Sequence, residues 1–130
     1  MDTPKSTAAP LRVLVVDNDV DTAESLTEVL ALHGFRARAA LDGADAARAA
    51  AVEPFDAIVT DIAMPGVDGY ELARRVRSQP AAKRPLLVAV TACQDVAGCG
   101  SDIGFDLVML KPVEPAELVG VLRRFARMLA

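Results

Sequence analysis

Short, unbroken apolar runs alternate along this chain with stretches of helical periodicity, and that alternation limits the folds open to it. Leu14-Val15-Val16, Ala57-Ile58-Val59, Leu86-Leu87-Val88-Ala89-Val90 and Leu107-Val108-Met109-Leu110 contain no polar residue. Runs this short and this apolar suit strands covered on both faces, as in a parallel sheet. Phe35 to Leu41 reads differently. There Phe35, Ala37, Ala39 and Leu41 alternate with Arg36, Arg38 and Ala40, the pattern of a half-exposed edge strand.

Helical spacing fills the intervals. Leu26, Val29, Leu30 and His33 recur at i, i+3, i+4 and i+7, and Gly34 stands where a left-handed stop belongs. Residues 44–52 are rich in alanine, and residues 70–78 gather Leu72, Ala73 and Val76 on one side. The last helix opens with Pro115 in its first turn and carries Leu118, Val121, Leu122, Phe125 and Leu129 as one stripe. Gln94 to Ile103 must hold the fourth of five helices. Gly98 and Gly100 each cost about 1 kcal/mol against alanine in a helix interior, so a short or irregular helix is expected there. Five strands and five helices in alternation predict a doubly wound α/β fold. The strand order 2-1-3-4-5 puts the alternating second strand at an edge, as its pattern requires.

Composition narrows the function. At 130 residues and 52% hydrophobic, the chain forms one domain with a real core. Residues 1–10 are expected to be a flexible tail and 11–130 the domain. No run of about 18 apolar residues is present, so no membrane span is expected. The first ten residues lack the apolar stretch of a secretory signal, which makes the cytoplasm the expected compartment. A net charge of −4 argues against direct nucleic-acid binding. Cys93 and Cys99 match no zinc spacing and read as reduced thiols. His33 reads as a partner for the carboxyl end of its own helix rather than a phosphohistidine.

Ligands of an open parallel sheet bind at the carboxyl ends of the strands, where the winding reverses. The first strand ends in Asp17-Asn18-Asp19, the third in Asp61, the fourth in Thr91 and the fifth in Lys111, one of three lysines. Two carboxylates brought together repel unless a cation relieves them. Mg²⁺ takes oxygen ligands, commonly one or two carboxylates with waters retained. Asp17, Asp61, the Asn18 side-chain oxygen and a backbone carbonyl are the candidate ligands. Thr91 offers a hydroxyl and Lys111 an ammonium to the same phosphoryl group. Carboxylate nucleophile, cation, hydroxyl and ammonium are the parts needed to accept that group and stabilise its charge.

VLVVDND at 13–19, TDIAMPGVDGYEL at 60–72, VAVTA at 88–92 and LKPV at 110–113 resemble the receiver domain of two-component response regulators, from about Leu11 to Leu129. The resemblance implies a flavodoxin-like (βα)5 domain that acts as a phosphoryl-accepting switch in a two-component system or phosphorelay. It implies that Asp61 takes the phosphoryl group from a phosphohistidine, with Thr91 and Lys111 holding it. Mg²⁺ (or Mn²⁺) would be held by Asp17, Asn18, Asp61 and the Ala63 carbonyl. Such a domain catalyses its own phosphorylation and dephosphorylation, though it is primarily a signalling protein. The implied partners are a sensor histidine kinase or histidine phosphotransfer protein and a downstream protein, with the domain itself a monomer or weak dimer. The Lys111-Pro112 bond is a candidate for the cis form.

Three departures stand out. Asn18 occupies a position where an acid is usual, which predicts weaker Mg²⁺ binding, while Asp19 either compensates in part or caps the first helix. Val108 stands where an aromatic or histidine side chain is usual, and the stretch between Thr91 and Lys111 is short and broken by glycines. These departures support an alternative, a pseudo-receiver that binds partners without being phosphorylated. A phosphohydrolase of the haloacid dehalogenase type is a third reading, on Asp17-x-Asp19. It leaves Asp61 and its loop unexplained.

Overall fold

The computed structural model of the chain describes residues 10–79, 84–92 and 104–129. Strands β1 (Arg12–Val16), β2 (Arg36–Ala40), β3 (Ala57–Asp61), β4 (Leu86–Thr91) and β5 (Leu107–Leu110) form one parallel sheet in the order β2-β1-β3-β4-β5. Helices α1 (Val20–Leu32), α2 (Gly43–Val52), α3 (Gly69–Ser78) and α4 (Pro115–Leu129) are the helices among the described residues. Residues 1–9 of the expected 1–10 tail, the expected helix at Gln94–Ile103 and both cysteines lie outside the described residues.

Successive strand residues point to opposite faces, so each central strand feeds two apolar layers. Val13, Val15, Val59 and Val88 pack with Leu30 of α1 and with Leu118 and Leu122 of α4. On the other face, Leu14, Val16, Ile58 and Leu87 pack with Ala46 of α2 and with Leu72 and Val76 of α3. This two-sided burial is why the runs in β1, β3 and β4 carry no alternation. Fully burying each such valine or leucine contributes on the order of 1.5–3 kcal/mol.

The outer strands differ, for a common reason: each has one neighbour. In β2 the alternation ends one residue early. Ala40 is buried against β1, and Leu41 turns outward. In β5 the unbroken apolar run predicted cover on both faces, and the structure gives it at the centre, where Val108 and Met109 pack into opposite layers, but not at the ends. Leu110 is 53% exposed and Leu107 37%, while Met109 is buried.

Helix ends follow local chemistry. Gly34 takes φ +93° after His33, and the His33 ring Nδ1 lies 2.9 Å from the Val29 carbonyl, the helix-end contact expected of it. Asp42 caps α2 by accepting from the Asp45 amide at 2.7 Å, and Asp68 caps α3 by accepting from the Glu71 amide at 2.9 Å. Glu71 then sits in the first turn of α3. Hydrogen bonds from Arg74 and Arg75 hold its carboxyl below the ordinary carboxylate range. No helix among the described residues is long and apolar enough to cross a membrane.

Candidate functional site

Parallel register brings the carboxyl ends of β1, β3, β4 and β5 to one rim. Asp17 follows β1, Asp61 ends β3, Thr91 ends β4 and Lys111 follows β5. Asp17, Asp61 and Thr91 are each 7% exposed, so polar groups are buried together at this rim. The Lys111 ammonium joins the carboxylates, with Nζ 3.1 Å from Asp61 Oδ2 and 3.9 Å from Asp17 Oδ2. Thr91 is tied in through the backbone, because the Lys111 amide donates to the Thr91 carbonyl at 2.8 Å.

Local bonds fix each group. Asp17 Oδ1 accepts from the Asp19 amide at 2.9 Å, and the Asp17 amide donates to the Ala40 carbonyl at 3.1 Å. Asp19 occupies the N-cap of α1, yet its carboxylate caps no backbone amide. It accepts instead from the Thr22 hydroxyl. One oxygen of that carboxylate is therefore engaged on α1. Asn18 and Ala63 are exposed.

The loop after Asp61 is held from two sides by glycines, which sequence reading missed at position 43. A Cβ on Gly69 would fall 2.7 Å from the Asp61 carbonyl oxygen and from Ile62 Cα, and one on Gly43 would fall 2.1 Å from the Val67 carbonyl oxygen. Only a hydrogen side chain permits either approach. The Gly69 amide donates to the Ile62 carbonyl at 2.9 Å, so α3 starts against the backbone of Asp61 itself. The Lys111-Pro112 bond is cis, as expected for this position.

Asp61 Oδ2 serves Lys111, while Asp61 Oδ1 accepts from no donor among the described residues. Two buried carboxylates face one ammonium, an excess of negative charge that calls for a cation. No cluster of three or more His, Cys, Asp and Glu side chains occurs among the described residues, so the acidic donors are these two. A set of two carboxylates suits Mg²⁺, which binds through one or two of them and keeps its waters, better than ions that demand a full protein cage. A cavity of about 690 Å³ opens beside the three charges, bounded by Thr22 and Ser25 of α1 and by Pro112.

The family described as "Response regulator receiver domain" matches residues 13–123. The chain belongs to this family. Among curated relatives, the transcriptional regulatory protein PrrA of Mycobacterium tuberculosis is 37% identical over 116 residues, covering 89% of this chain and 50% of the relative. The response regulator MprA of Mycolicibacterium vanbaalenii is 38% identical over 120 residues, covering 91% and 51%. This receiver domain thus spans about half the length of those relatives. A response regulator structure from Chloroflexus aurantiacus superposes with a TM-score of 0.81 at 35% identity, covering 89% of this chain and 97% of the other. The receiver domain of the sensor histidine kinase PA1611 from Pseudomonas aeruginosa superposes with a TM-score of 0.81 at 29% identity, covering 90% and 98%. That structure has a magnesium ion coordinated in its active site cleft.

Proposed function

We propose that this receiver domain is a switch phosphorylated on Asp61 by a phosphohistidine on a sensor kinase or phosphotransfer protein. The observation that carries the reading is the Lys111 ammonium set between the buried carboxylates of Asp61 and Asp17. Asp61 Oδ1, the oxygen not engaged by Lys111, is the nucleophile, and phosphorus–oxygen bond formation there releases the donor imidazole. Lys111 then pairs with the transferred group, and the Thr91 hydroxyl accepts its position as hydrogen-bond donor to a phosphoryl oxygen. Asp17, Asp61, the Asn18 side-chain oxygen and the Ala63 carbonyl are the proposed holders of Mg²⁺ or Mn²⁺. When bound, the ion supplies positive charge against the phosphoryl oxygens. Water later hydrolyses the acyl phosphate and restores the carboxylate.

Incubation with Mg²⁺ and acetyl phosphate tests this. Intact-mass spectrometry should record one added phosphoryl group, and none when Mg²⁺ is chelated. A chain that stays unmodified with metal present would favour the pseudo-receiver reading, to which the neutral side chain at Asn18 lends support.

Asn18 also fixes an expected metal affinity. A neutral amide gives an oxygen without a charge, so Asn18→Asp should tighten Mg²⁺ binding roughly tenfold, because ligand charge count tunes affinity for hard cations. Titration of both chains with Mg²⁺ by calorimetry checks this. Equal or weaker binding by the variant would count against a role for position 18.

A further inference from the structure

The strand that delivers Lys111 is the least secured in the sheet. β5 has four residues and a single neighbour, so its register against β4 rests on a ladder of four residue pairs and on the bonds at its two ends. At the far end the Lys111 amide bonds the Thr91 carbonyl. At the near end Asp106 closes the ladder twice. Its amide donates to the Leu87 carbonyl at 2.8 Å, and its carboxylate Oδ2 accepts from the Leu87 amide at 2.8 Å. A side chain here does the work of a backbone carbonyl.

That carboxylate is aimed by Arg77, from the last turn of α3. Arg77 Nη2 donates to Asp106 Oδ2 at 2.7 Å and to the Gly104 carbonyl at 2.9 Å, Nε donates to the same carbonyl at 3.2 Å, and Nη1 donates to the Pro85 carbonyl at 2.9 Å. One planar guanidinium thus ties α3 to the approaches of both β4 and β5, a geometry that lysine lacks. Gly104 adopts φ +92°, and a Cβ there would fall 3.3 Å from Arg77 Cγ, so the glycine lets its carbonyl meet the arginine.

We infer that Arg77 and Asp106 are positioning residues for the phosphoryl site: by locking the register of β5 they hold the Lys111 ammonium within reach of Asp61. The role rests on the proposed function. A strand slip of one residue sends every side chain to the opposite face, and Lys111 lies immediately beyond the strand. Neither residue touches the reacting atoms, and both act through Lys111.

The test is a kinetic double-mutant cycle on the whole chain, with phosphorylation by acetyl phosphate and Mg²⁺ followed well below each variant's melting temperature. Arg77→Gln should slow phosphorylation roughly tenfold when Lys111 is present, since small misplacements of a charge-stabilising group are costly. In a Lys111→Gln background the same change should alter the rate less than about twofold, because no ammonium remains to be misplaced. Asp106→Asn keeps an oxygen for the Leu87 amide and should retain more activity than Asp106→Ala. Amide exchange by NMR should show the Lys111 N–H exchanging faster in Arg77→Gln. Equal losses in both backgrounds, or an unchanged rate beside a lowered melting temperature, would reduce Arg77 to a structural anchor. A parent chain that takes no phosphoryl group would overturn the proposed function and this role with it. A phosphorylated parent with an additive cycle would overturn this role alone.

Discussion

Asp61→Asn is expected to take up no phosphoryl group from acetyl phosphate and Mg²⁺, and to melt no lower than the parent chain when metal is absent. The first effect is chemical, since an amide is no nucleophile at this centre. The second is electrostatic. Asp17 and Asp61 are both buried and share the Lys111 ammonium. Like charges about 4–6 Å apart repel by roughly 3–4 kcal/mol at an effective dielectric near 20, less than the roughly 5 kcal/mol by which Lys111 at 3.1 Å attracts Asp61, so the gain comes from the desolvation of a buried carboxylate, which an amide largely avoids. Replacing one carboxylate by an amide of the same shape relieves the repulsion but also loses an attraction to Lys111. The net gain should be on the order of 1 kcal/mol. Stabilisation by added Mg²⁺ should shrink in the variant, as binding to the folded state weakens. Thermal melting with and without Mg²⁺ checks both statements, and phosphoryl uptake by the variant would remove Asp61 from its assigned role.

Gly69→Ala should cost about 1–3 kcal/mol in stability and slow phosphorylation as well, because the added methyl group overpacks a backbone contact. The atoms in its way are the Asp61 carbonyl oxygen and Ile62 Cα, each 2.7 Å from the new Cβ, and a backbone yields less readily than the end of a side chain. The displaced segment carries the proposed phosphoacceptor, so the stability loss and the rate loss should appear together. Gly120→Ala supplies the contrast. It lies in the interior of α4 with nothing within 4 Å of the added Cβ, and should raise stability by about 1 kcal/mol from helix propensity. Urea denaturation of the three chains, with phosphorylation rates alongside, measures the pair. A neutral Gly69→Ala would show that the loop after Asp61 gives way freely.

Much of this architecture was legible because burial writes itself into hydrophobic pattern. The runs at β1, β3 and β4 are apolar without interruption because both faces are covered, and the alternation at Phe35 to Leu41 marked β2 as an outer strand. The run Leu107 to Leu110 misled only at its two ends, for the same physical reason in reverse. An outer strand can remain apolar while half exposed, and nothing local distinguishes that from burial. Within the site, Asp17, Asp61, Thr91 and Lys111 were legible as strand-end polar residues, since parallel topology alone brings such ends to one rim. Asp19 was legible as the start of α1 but not for the partner of its carboxylate, which depends on the Thr22 hydroxyl. Gly43 against Val67, and Arg77 with Asp106, left no trace in periodicity. They are contacts between residues distant in sequence, each made once, where pattern analysis has no repeat to detect.

Reductive trapping addresses the location of the acyl phosphate most directly. Borohydride converts an aspartyl phosphate to homoserine, so treatment of the Mg²⁺- and acetyl phosphate-loaded chain, followed by peptide mass mapping, reports which carboxylate carried the phosphoryl group. The arrangement of Lys111 between Asp61 and Asp17 predicts homoserine at position 61 and aspartate retained at position 17. Homoserine at position 17, with position 61 unaltered, would contradict it.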